Sequence, residues 1–324
     1  MTNALTSQFK QIDDLLTVSR KILIASHENP DPDAVSSVLA FHYVFKKQGI
    51  ESLPYLPDLP SCNLSFLPGF FEIKNKTDSF EPDVLLCLDY GDFKRLKIPE
   101  KIMQKSPLYI VTVDHHLASD QKGDVKVLCP EFSSTSEIIY HWLKYKNMEI
   151  DKELATCLLT GIFADSGGFC HVSTTSETLN IVSELLLSGV SLSKIASSTL
   201  LSQKPPQLSR AWGKVLSRTQ LDEQTGLAYS WLKADDFENL GLGLADFDGL
   251  ANLVSAGSPM NFGLFLVEYE KGKIKGSLRS ESHSEQNAAK IARALGGGGH
   301  PYAAGFTQEG TVEETLKKVL NLLG

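Results

Sequence analysis

Three apolar runs in the first half of the chain place the strongest constraint on its fold. They cover residues 21–26 (KILIAS), 82–89 (PDVLLCLD) and 108–114 (LYIVTVD). Because polar residues do not alternate with apolar ones, each predicted strand must be covered on both faces, as in a parallel sheet. Helical patterns accompany these runs at residues 33–48, 133–146 and 152–163. The alternation of strands and helices predicts an α/β fold built on a parallel sheet.

Each of these runs leads into acidic residues or histidines. The segments are His27 to Asp33, Asp89 to Asp92, and Asp114-His115-His116. Ligands of open parallel sheets gather at the carboxyl ends of the strands, so we expect these segments at one edge of the sheet. A fourth segment, Ala164 to Gly167, follows a helical run, and its approach to the same edge is an inference.

Carboxylates and imidazoles are ligands of hard and borderline divalent cations. Taken singly, the segments also have structural explanations. Asp33 could cap the following helix, Asp89 could form a strand-to-loop turn, and Asp165 could belong to a helix C-cap. Asp114 could orient a neighbouring histidine, and Arg95 is expected to have a supporting role. Four such segments in one half of the chain predict a dinuclear metal site that acts on phosphate.

The second half of the chain has a different pattern. We interpret residues 191–218, which are rich in Ser and contain Pro205-Pro206, as a partly helical linker. Beyond the linker, a smaller α/β domain is predicted from strands at 227–232, 262–269 and 274–279 and helices at 286–295 and 312–323. The expected organisation is a first domain over residues 1–190, the linker, and a second domain over residues 219–324.

Two features of the second domain suit an anionic ligand. Gly296 to Gly299 can present backbone N–H groups to a phosphate, and His300 adds a further donor. Arg279, at the end of a predicted strand, can bind a phosphate through its planar guanidinium. The structural alternatives are a flexible turn and a solvated surface arginine.

Charge and composition narrow the functional classes. A net charge of -8 argues against a broad surface for long duplex DNA, which normally carries a basic excess. Five scattered cysteines without a CxxC pair argue against zinc-finger and disulfide frameworks. No apolar run approaches the length of a membrane span, and the N-terminus has the spacing of an amphipathic helix. We therefore expect a cytoplasmic protein without membrane contacts.

The order of these segments resembles the motifs of the DHH phosphoesterase family. The first motif is matched by His27-x-x-Pro30-Asp31-x-Asp33-Ala34, the second by Asp89, the third by Asp114-His115-His116 and the fourth by Ala164-Asp165-Ser166-Gly167. Gly296 to His300 with Ala303-Ala304-Gly305 resembles the DHH-associated C-terminal domain. The chain departs from the family at Val35-Ser36, where Gly is frequent, and at Ser166, where Thr is usual. No ligand position is missing.

The resemblance implies a set of roles for these residues. A first manganese ion would be held by His27, Asp31 and Asp89, and a second by Asp33, Asp89, His115 and Asp165. Asp89 would be shared by the two ions, for which Mg²⁺ or Co²⁺ are alternatives. His116 would act as a catalytic residue at the scissile phosphate, together with Asp89 and Arg279. The substrate would be bound by Arg279, Gly297, Gly298, Gly299 and His300.

Within the family, the short two-domain form looks most like enzymes that degrade very short oligoribonucleotides (nanoRNA) and 3'-phosphoadenosine 5'-phosphate (pAp). The expected partners are short RNA or small nucleotides captured between two domains, with the linker as hinge and a homodimer as an open alternative. Other phosphoesterases remain alternatives: an enzyme for cyclic dinucleotides or linear pApA, a pyrophosphatase or exopolyphosphatase, or a processive exonuclease. A non-catalytic nucleotide-binding regulator is the alternative from another class, and the full ligand set argues against it.

Overall fold

The computed structural model describes residues 3–116, 121–199, 206–237, 242–247, 249–259, 262–280 and 287–323. The chain divides into two compact units, Met1–Gln203 and Lys204–Gly324. Each unit is built around its own β-sheet. Among the described residues, no single helix is long and apolar enough to cross a membrane, although the bent pair Ser176–Leu187 and Leu192–Thr199 would pass by length and composition alone.

The first unit alternates strands and helices. Its elements are α1 (Asn3–Val18), β1 (Lys21–Ala25), α2 (Pro32–Gln48), β2 (Glu51–Tyr55), β3 (Val84–Leu88), α3 (Glu100–Met103), β4 (Tyr109–Asp114), β5 (Val125–Leu128), α4 (Thr135–Tyr145), α5 (Lys152–Asp165), α6 (Ser176–Leu187) and α7 (Leu192–Thr199). Short 3₁₀ helices lie at Cys62–Leu64, Phe70–Glu72 and Phe93–Leu96. The five strands are all parallel, in the order β2-β1-β3-β4-β5. The predicted parallel sheet is therefore confirmed.

Both faces of this sheet are covered, which explains why its strands lack polar alternation. Along β1, Ile22 and Ile24 pack into a core shared with α1, α2, α4 and α5. Leu23 and Ala25 point to the opposite face, where they join a second core with Tyr90. Burying an aliphatic side chain of this size contributes roughly 1.5–3 kcal/mol, so a polar residue on either face would be costly.

The end of β1 leads directly into α2. Asp31 is the N-cap of this helix, and its side chain accepts a hydrogen bond from the Ala34 N–H at 2.9 Å. Asp33, considered from the sequence as the cap, lies inside the first turn instead. The helix ends at Gly49, where a left-handed backbone (φ +72°) suits glycine.

The register of the sheet brings three strand ends to the same height. Ala25 pairs with Cys87, and Cys87 pairs with Thr112. His27, Asp89 and Asp114 each follow their paired residue by two positions, so they lie side by side at this edge, Asp114 as the last residue of β4. The chain adds β2 on one side of β1 and then β3 on the other side, so the strand order reverses between β1 and β3. Ligands of such sheets bind at the carboxyl ends of the strands next to this reversal.

The second unit contains a mixed sheet. Its elements are α8 (Pro206–Ser217), β6 (Gln220–Asp222), β7 (Leu227–Leu232), α9 (Leu250–Ser255), β8 (Gly263–Glu270), β9 (Lys273–Arg279), α10 (Ala288–Ala294), β10 (Gly298–His300), β11 (Ala303–Glu309) and α11 (Val312–Asn321), with 3₁₀ helices at Ala234–Asp236 and Leu244–Phe247. The strand order is β10-β11-β9-β8-β7-β6, with β7 and β8 parallel and the other neighbours antiparallel. Helices α10 and α11 pack on one face, and α8 and α9 on the other. This confirms the predicted second α/β region.

The segment predicted as a linker, residues 191–218, contains helices α7 and α8. Ile195 of α7 packs into the core of the first unit, whereas Ala211 of α8 packs into a core of the second. Residues 200–205, which include Pro205, lie outside the described part of the chain.

A glycine in the middle of β9 allows close packing across the second sheet. Gly276 pairs with Phe306 of β11. A Cβ added to Gly276 would lie 2.2 Å from the Phe306 ring, so the ring occupies the space that a side chain would need.

Candidate metal centre

Six carboxylate and imidazole side chains converge at the carboxyl edge of the first sheet. They form two groups, His27, Asp31 and Asp89 in one and Asp33, His115 and Asp165 in the other, and a third group, Asp89, His115 and His116, overlaps both. Within each group the candidate ligand atoms lie within 4.8 Å of one another, a spacing suited to a cation. The structure therefore brings together the residues that the sequence singled out as metal ligands, including Asp165, whose position was only inferred.

In the first group, His27 is almost completely buried, and its Nε2 lies 3.5 Å from Asp31 Oδ2. Its Nδ1 lies 2.7 Å from the Glu28 carbonyl oxygen and 2.9 Å from Nη2 of Arg95. A guanidinium only donates, so Nδ1 cannot satisfy both neighbours at once. When Nδ1–H donates to the carbonyl, Nε2 keeps the lone pair that metal ligation requires.

In the second group, His115 connects two carboxylates. Its Nε2 lies 3.3 Å from Asp165 Oδ2 and 3.5 Å from Asp89 Oδ1. The ring also forms a hydrogen bond to the Phe132 backbone carbonyl, and burial lowers the pKa of His115. Burial favours a neutral imidazole, whereas the bond to the Phe132 carbonyl raises the pKa. That bond holds a proton on the other ring nitrogen, which leaves the lone pair of Nε2 in a neutral ring directed at the carboxylates.

Asp89 lies within reach of both groups. It is 1% exposed, and its backbone is left-handed with φ +49°, a conformation that Asp tolerates better than most residues. Its N–H donates to the Val113 carbonyl at 3.1 Å, and its own carbonyl accepts from Ser26 Oγ at 3.1 Å. The unusual backbone is thus held by β4 on one side and the end of β1 on the other.

Asp165 is the last residue of α5, and a sharp turn follows it. Gly167, Gly168 and Phe169 are all left-handed, with φ values of +60°, +68° and +71°. The turn brings Nδ1 of His171 to 2.8 Å from the Asp165 carbonyl oxygen. A Cβ at Gly167 would lie 2.5 Å from His171 Nε2, so this position requires glycine for space as well as for its backbone angle.

The charge distribution of the cluster fits a cation. Burial, reinforced by Asp33, Asp31, Asp114 and Asp165, raises the pKa of Asp89 well above its usual range. Burial also raises the pKa of Asp165 to about 8, with Asp33 and Asp31 contributing. Carboxylates that repel one another in a buried site are stabilised by divalent cations, and oxygen with imidazole nitrogen is a donor set that Mn²⁺, Mg²⁺ and related ions accept.

Asp114 and His116 lie beside the two groups. Asp114 Oδ1 accepts hydrogen bonds from the His116 N–H (2.9 Å) and from His116 Nδ1 (2.8 Å), and Oδ2 accepts from the N–H groups of Tyr90 (3.1 Å) and Gly91 (3.0 Å). Burial raises the pKa of Asp114, but these hydrogen bonds, of which the one from the His116 ring has the largest effect, lower it to about 2. Asp114 therefore orients His116, whose side chain is 41% exposed and accessible to a substrate.

The predicted anion-binding residues of the second unit lie in one row of its sheet. Ala303 pairs with His300 on one side and with Arg279 on the other, so Arg279 and His300 flank the same residue. Arg279 Nε donates to Asn252 Oδ1 of α9 at 2.8 Å. Gly297 precedes β10, and Gly298 and Gly299 belong to this edge strand. At Gly297 and Gly299 an added Cβ would lie 2.1 and 2.5 Å from backbone oxygens of β11.

Sequence reasoning missed three residues that surround the metal ligands. The Thr135 and Ser136 N–H groups donate to the Asp33 carboxylate. Gly161 of α5 faces the same carboxylate, and a Cβ there would lie 2.3 Å from Asp33 Oδ1. A glycine in the interior of a helix lowers stability by about 1 kcal/mol relative to alanine. Its presence in this helical run was the one sequence signal that a close contact is made there.

Comparisons with known proteins agree with this arrangement. The model of the DHH family, N-terminal domain, matches residues 21–162, and the DHHA1 domain model matches residues 245–324. The bifunctional oligoribonuclease and PAP phosphatase NrnA of Thermus thermophilus is 32% identical over 309 residues, covering 94% of this chain and 90% of that protein. A probable manganese-dependent inorganic pyrophosphatase of Enterococcus faecalis is 26% identical and covers 58% of this chain and 64% of that protein.

Among solved structures, an exopolyphosphatase-related protein from Bacteroides fragilis has a TM-score of 0.87 and 29% sequence identity. The similarity covers 100% of this chain and 97% of that chain. The structural similarity to this protein therefore extends over both sheets and is not confined to the segments that carry the candidate metal ligands.

Proposed function

Because the chain belongs to the DHH family, we propose that it is a metal-dependent phosphoesterase that hydrolyses short oligoribonucleotides to mononucleotides and pAp to AMP. The observation that carries the proposal is the pair of ligand groups at one sheet edge, with Asp89 in reach of both. The Thermus relative, whose name states both activities, aligns over 94% of this chain.

The metal centre of this proposal has two cations. The first would be held by His27, Asp31 and Asp89, and the second by Asp33, Asp89, His115 and Asp165, with Asp89 shared. Manganese is the proposed ion, because a more distant relative is named as manganese-dependent. The mixed carboxylate and imidazole donor set is compatible with Mn²⁺ and with several other divalent ions. Such ions lower the pKa of water and neutralise charge on a phosphate when bound.

The side chains around the ligands define the rest of the chemistry. His116 donates its Nδ1–H to Asp114, so its Nε2 is the nitrogen available to a substrate. The hydrogen bond to Asp114 raises the pKa of His116, which favours the protonated ring and therefore a proton on Nε2. In the proposed reaction this nitrogen donates to a phosphoryl oxygen or to the leaving oxygen, where negative charge develops.

The second unit would bind the nucleotide part of the substrate. Arg279 and His300 flank Ala303 in one row of the sheet, so two donors can meet one phosphate there. Gly297, Gly298 and Gly299 lie at the edge strand beside them, where backbone N–H groups can add further donors.

A second candidate is hydrolysis of pyrophosphate or polyphosphate. It is favoured by the description of the Bacteroides structure, which matches the whole chain with a TM-score of 0.87. The same metal chemistry would serve either substrate, so the two candidates differ in what the second unit recognises.

The test is hydrolysis by purified protein that has been stripped of metal with a chelator and then supplied with Mn²⁺. The substrates are a 5'-phosphorylated RNA dinucleotide, pAp, a cyclic dinucleotide, pyrophosphate and polyphosphate. We expect metal-dependent release of mononucleotide from the dinucleotide and of phosphate from pAp. Turnover of pyrophosphate or polyphosphate alone would instead support the second candidate, and Mn²⁺ binding without turnover of any substrate would indicate a regulator.

A further inference from the structure

The N-terminus of α4 points at the buried carboxylates of the metal centre. Ser134 caps this 11-residue helix by accepting from the Glu137 N–H at 3.0 Å. The next two N–H groups, which have no partner within a helix, donate to Asp33: Thr135 N–H to Oδ2 at 2.7 Å and Ser136 N–H to Oδ1 at 3.1 Å. Asp33 therefore occupies the position that a bound anion takes at other helix N-termini.

Two hydroxyl groups extend this contact to both ligand groups. Ser136 Oγ donates to Asp33 Oδ1 at 2.5 Å, and Thr135 Oγ1 donates to Asp89 Oδ1 at 3.1 Å. Thr135 thus holds one carboxylate with its backbone and the other with its side chain. All of these groups are buried, so water cannot replace a lost donor without rearrangement.

The space around these donors is closed by α5. A Cβ at Gly161 would lie 2.0 Å from Ser136 Oγ and 2.3 Å from Asp33 Oδ1. The absence of a side chain at this position lets α5 pack directly against the Ser136–Asp33 pair. Asp33 is therefore held between the terminus of α4 on one side and the close backbone of α5 on the other, and Asp89 is bound to the same terminus of α4 by Thr135 Oγ1.

From this geometry we propose that Thr135 and Ser136 are positioning residues that preform the metal centre, with Thr135 coupling Asp33 to Asp89. The inference rests on the metal centre of the proposed function. Donors to ligating carboxylates fix the direction of the oxygen lone pairs, and their loss typically costs 10–100-fold in metal affinity. No atom of Thr135 needs to contact a metal or a substrate for this role.

The test compares Mn²⁺ binding by Thr135→Val and Thr135→Ser with that of the unmodified chain, by isothermal titration calorimetry and by Mn²⁺ electron paramagnetic resonance. Valine keeps the shape and the N–H donor to Asp33 but lacks the hydroxyl, whereas serine keeps both donors. We expect Thr135→Val to weaken binding of at least one Mn²⁺ by tenfold or more and to change the resonance of the ion pair. Thr135→Ser should restore binding to within about threefold.

The outcomes separate this inference from the proposed function. If the unmodified chain binds no Mn²⁺, the metal centre itself is wrong. If the unmodified chain binds Mn²⁺ and Thr135→Val binds it equally well, the positioning role is overturned. Ser136→Ala is the second variant, for use if Thr135→Val does not fold. It removes the hydroxyl donor to Asp33, and unchanged Mn²⁺ affinity and resonance in this variant would also overturn the inference.

Discussion

Asp114 holds His116 through two hydrogen bonds to one carboxylate oxygen, from the backbone N–H at 2.9 Å and from ring Nδ1 at 2.8 Å. The other oxygen binds the N–H groups of Tyr90 and Gly91, at the turn that carries Asp89 out of the sheet. One buried side chain thus sets both the tautomer of the exposed histidine and the path of the loop next to it.

Replacing Asp114 by Asn should lower kcat by roughly 10–100-fold, because an amide oxygen can replace only one of the two acceptors. In either orientation of the amide, its NH₂ group would face N–H donors that the carboxylate oxygens now accept from. Steady-state kinetics on the RNA dinucleotide measure this effect, with Mn²⁺ affinity expected to change less than kcat. A variant with normal kcat would show that His116 does not depend on its partner.

Replacing Asp89 by Asn should reduce turnover by at least about 10³-fold, because this carboxylate lies within reach of both ligand groups. The number of bound Mn²⁺ ions should fall at the same time, and calorimetric titration measures it. Asp92→Asn is the matched control in the same loop. Asp92 is exposed and caps a 3₁₀ helix by accepting from the Lys94 N–H, which asparagine can also do. Equal activity of the two variants would contradict the shared-ligand model.

Gly161→Ala should destabilise the first unit by roughly 1–3 kcal/mol and weaken Mn²⁺ binding, since the new methyl group overlaps Ser136 and Asp33. Helix propensity alone predicts the opposite sign, a gain of up to about 1 kcal/mol. Gly213→Ala in α8 is the control, because nothing lies within 4 Å of its added Cβ. Thermal denaturation of both variants measures which effect on stability is larger. A Gly161→Ala variant that is more stable than the unmodified chain would mean that α5 can move away from the site.

Asn252→Ala should raise KM for the dinucleotide about tenfold with little change in kcat, because Arg279 loses the acceptor that orients its Nε. Arg279→Ala provides the reference. The double variant should be no worse than Arg279→Ala alone, as expected for two residues that act through one contact. Independent, additive losses would show that Asn252 has a role unrelated to Arg279.

Asp236 gives the second unit a predictable response to acid. Burial opposes ionisation, but hydrogen bonds from Arg218, then from the Lys233 N–H and Lys214, lower its pKa from 3.8 to about 2. A lowered pKa in the folded state stabilises the protein above the unfolded value near 3.8, and this contribution is lost as the pH falls towards 2. At ~1.4 kcal/mol per unit of pKa, the contribution of Asp236 to the free energy of unfolding is at most about 2.5 kcal/mol.

Denaturant unfolding of Asp236→Asn between pH 7 and pH 2 tests this effect. The variant should be less stable than the unmodified chain at pH 6, and the difference should shrink towards pH 2. Glu270→Gln is the control, because the Glu270–Lys273 ion pair is exposed and contributes little. A difference that does not depend on pH would remove the electrostatic explanation.

The central strands and the segments that follow them, which carry every candidate ligand except Asp165, could be predicted from the sequence for a shared physical reason. Asp165 is the last residue of a helix, and its approach to the same edge was an inference. Strands covered on both faces must be apolar along their whole length, so the first polar residue marks the end of the strand, and parallel strands bring their ends together. Asp89 and Asp114 were located in this way. Five strands were missed: β2, β5, β6, β10 and β11. Of these, β2 contains Pro54 and is partly exposed, and β10 is largely glycine.

The residues that support the ligands could not be predicted, because their contacts join distant parts of the chain. Thr135 N–H and Asp33 Oδ2 are separated by 102 positions, and neither spacing nor composition connects them. Arg95 was expected only to have a supporting role, and its contact with His27 spans 68 positions. Local pattern identifies which atoms can bind a metal, whereas the tertiary fold decides which atoms hold them in place.

The packing of Gly276 against Phe306 has a consequence for how sequences of this family can diverge. Any side chain at position 276 would collide with the ring at position 306. A larger residue at the first position is therefore compatible only with a smaller one at the second. Aligned relatives should show correlated changes at these two sites, and a lineage that lost the glycine should have lost the aromatic ring in the same interval of its history.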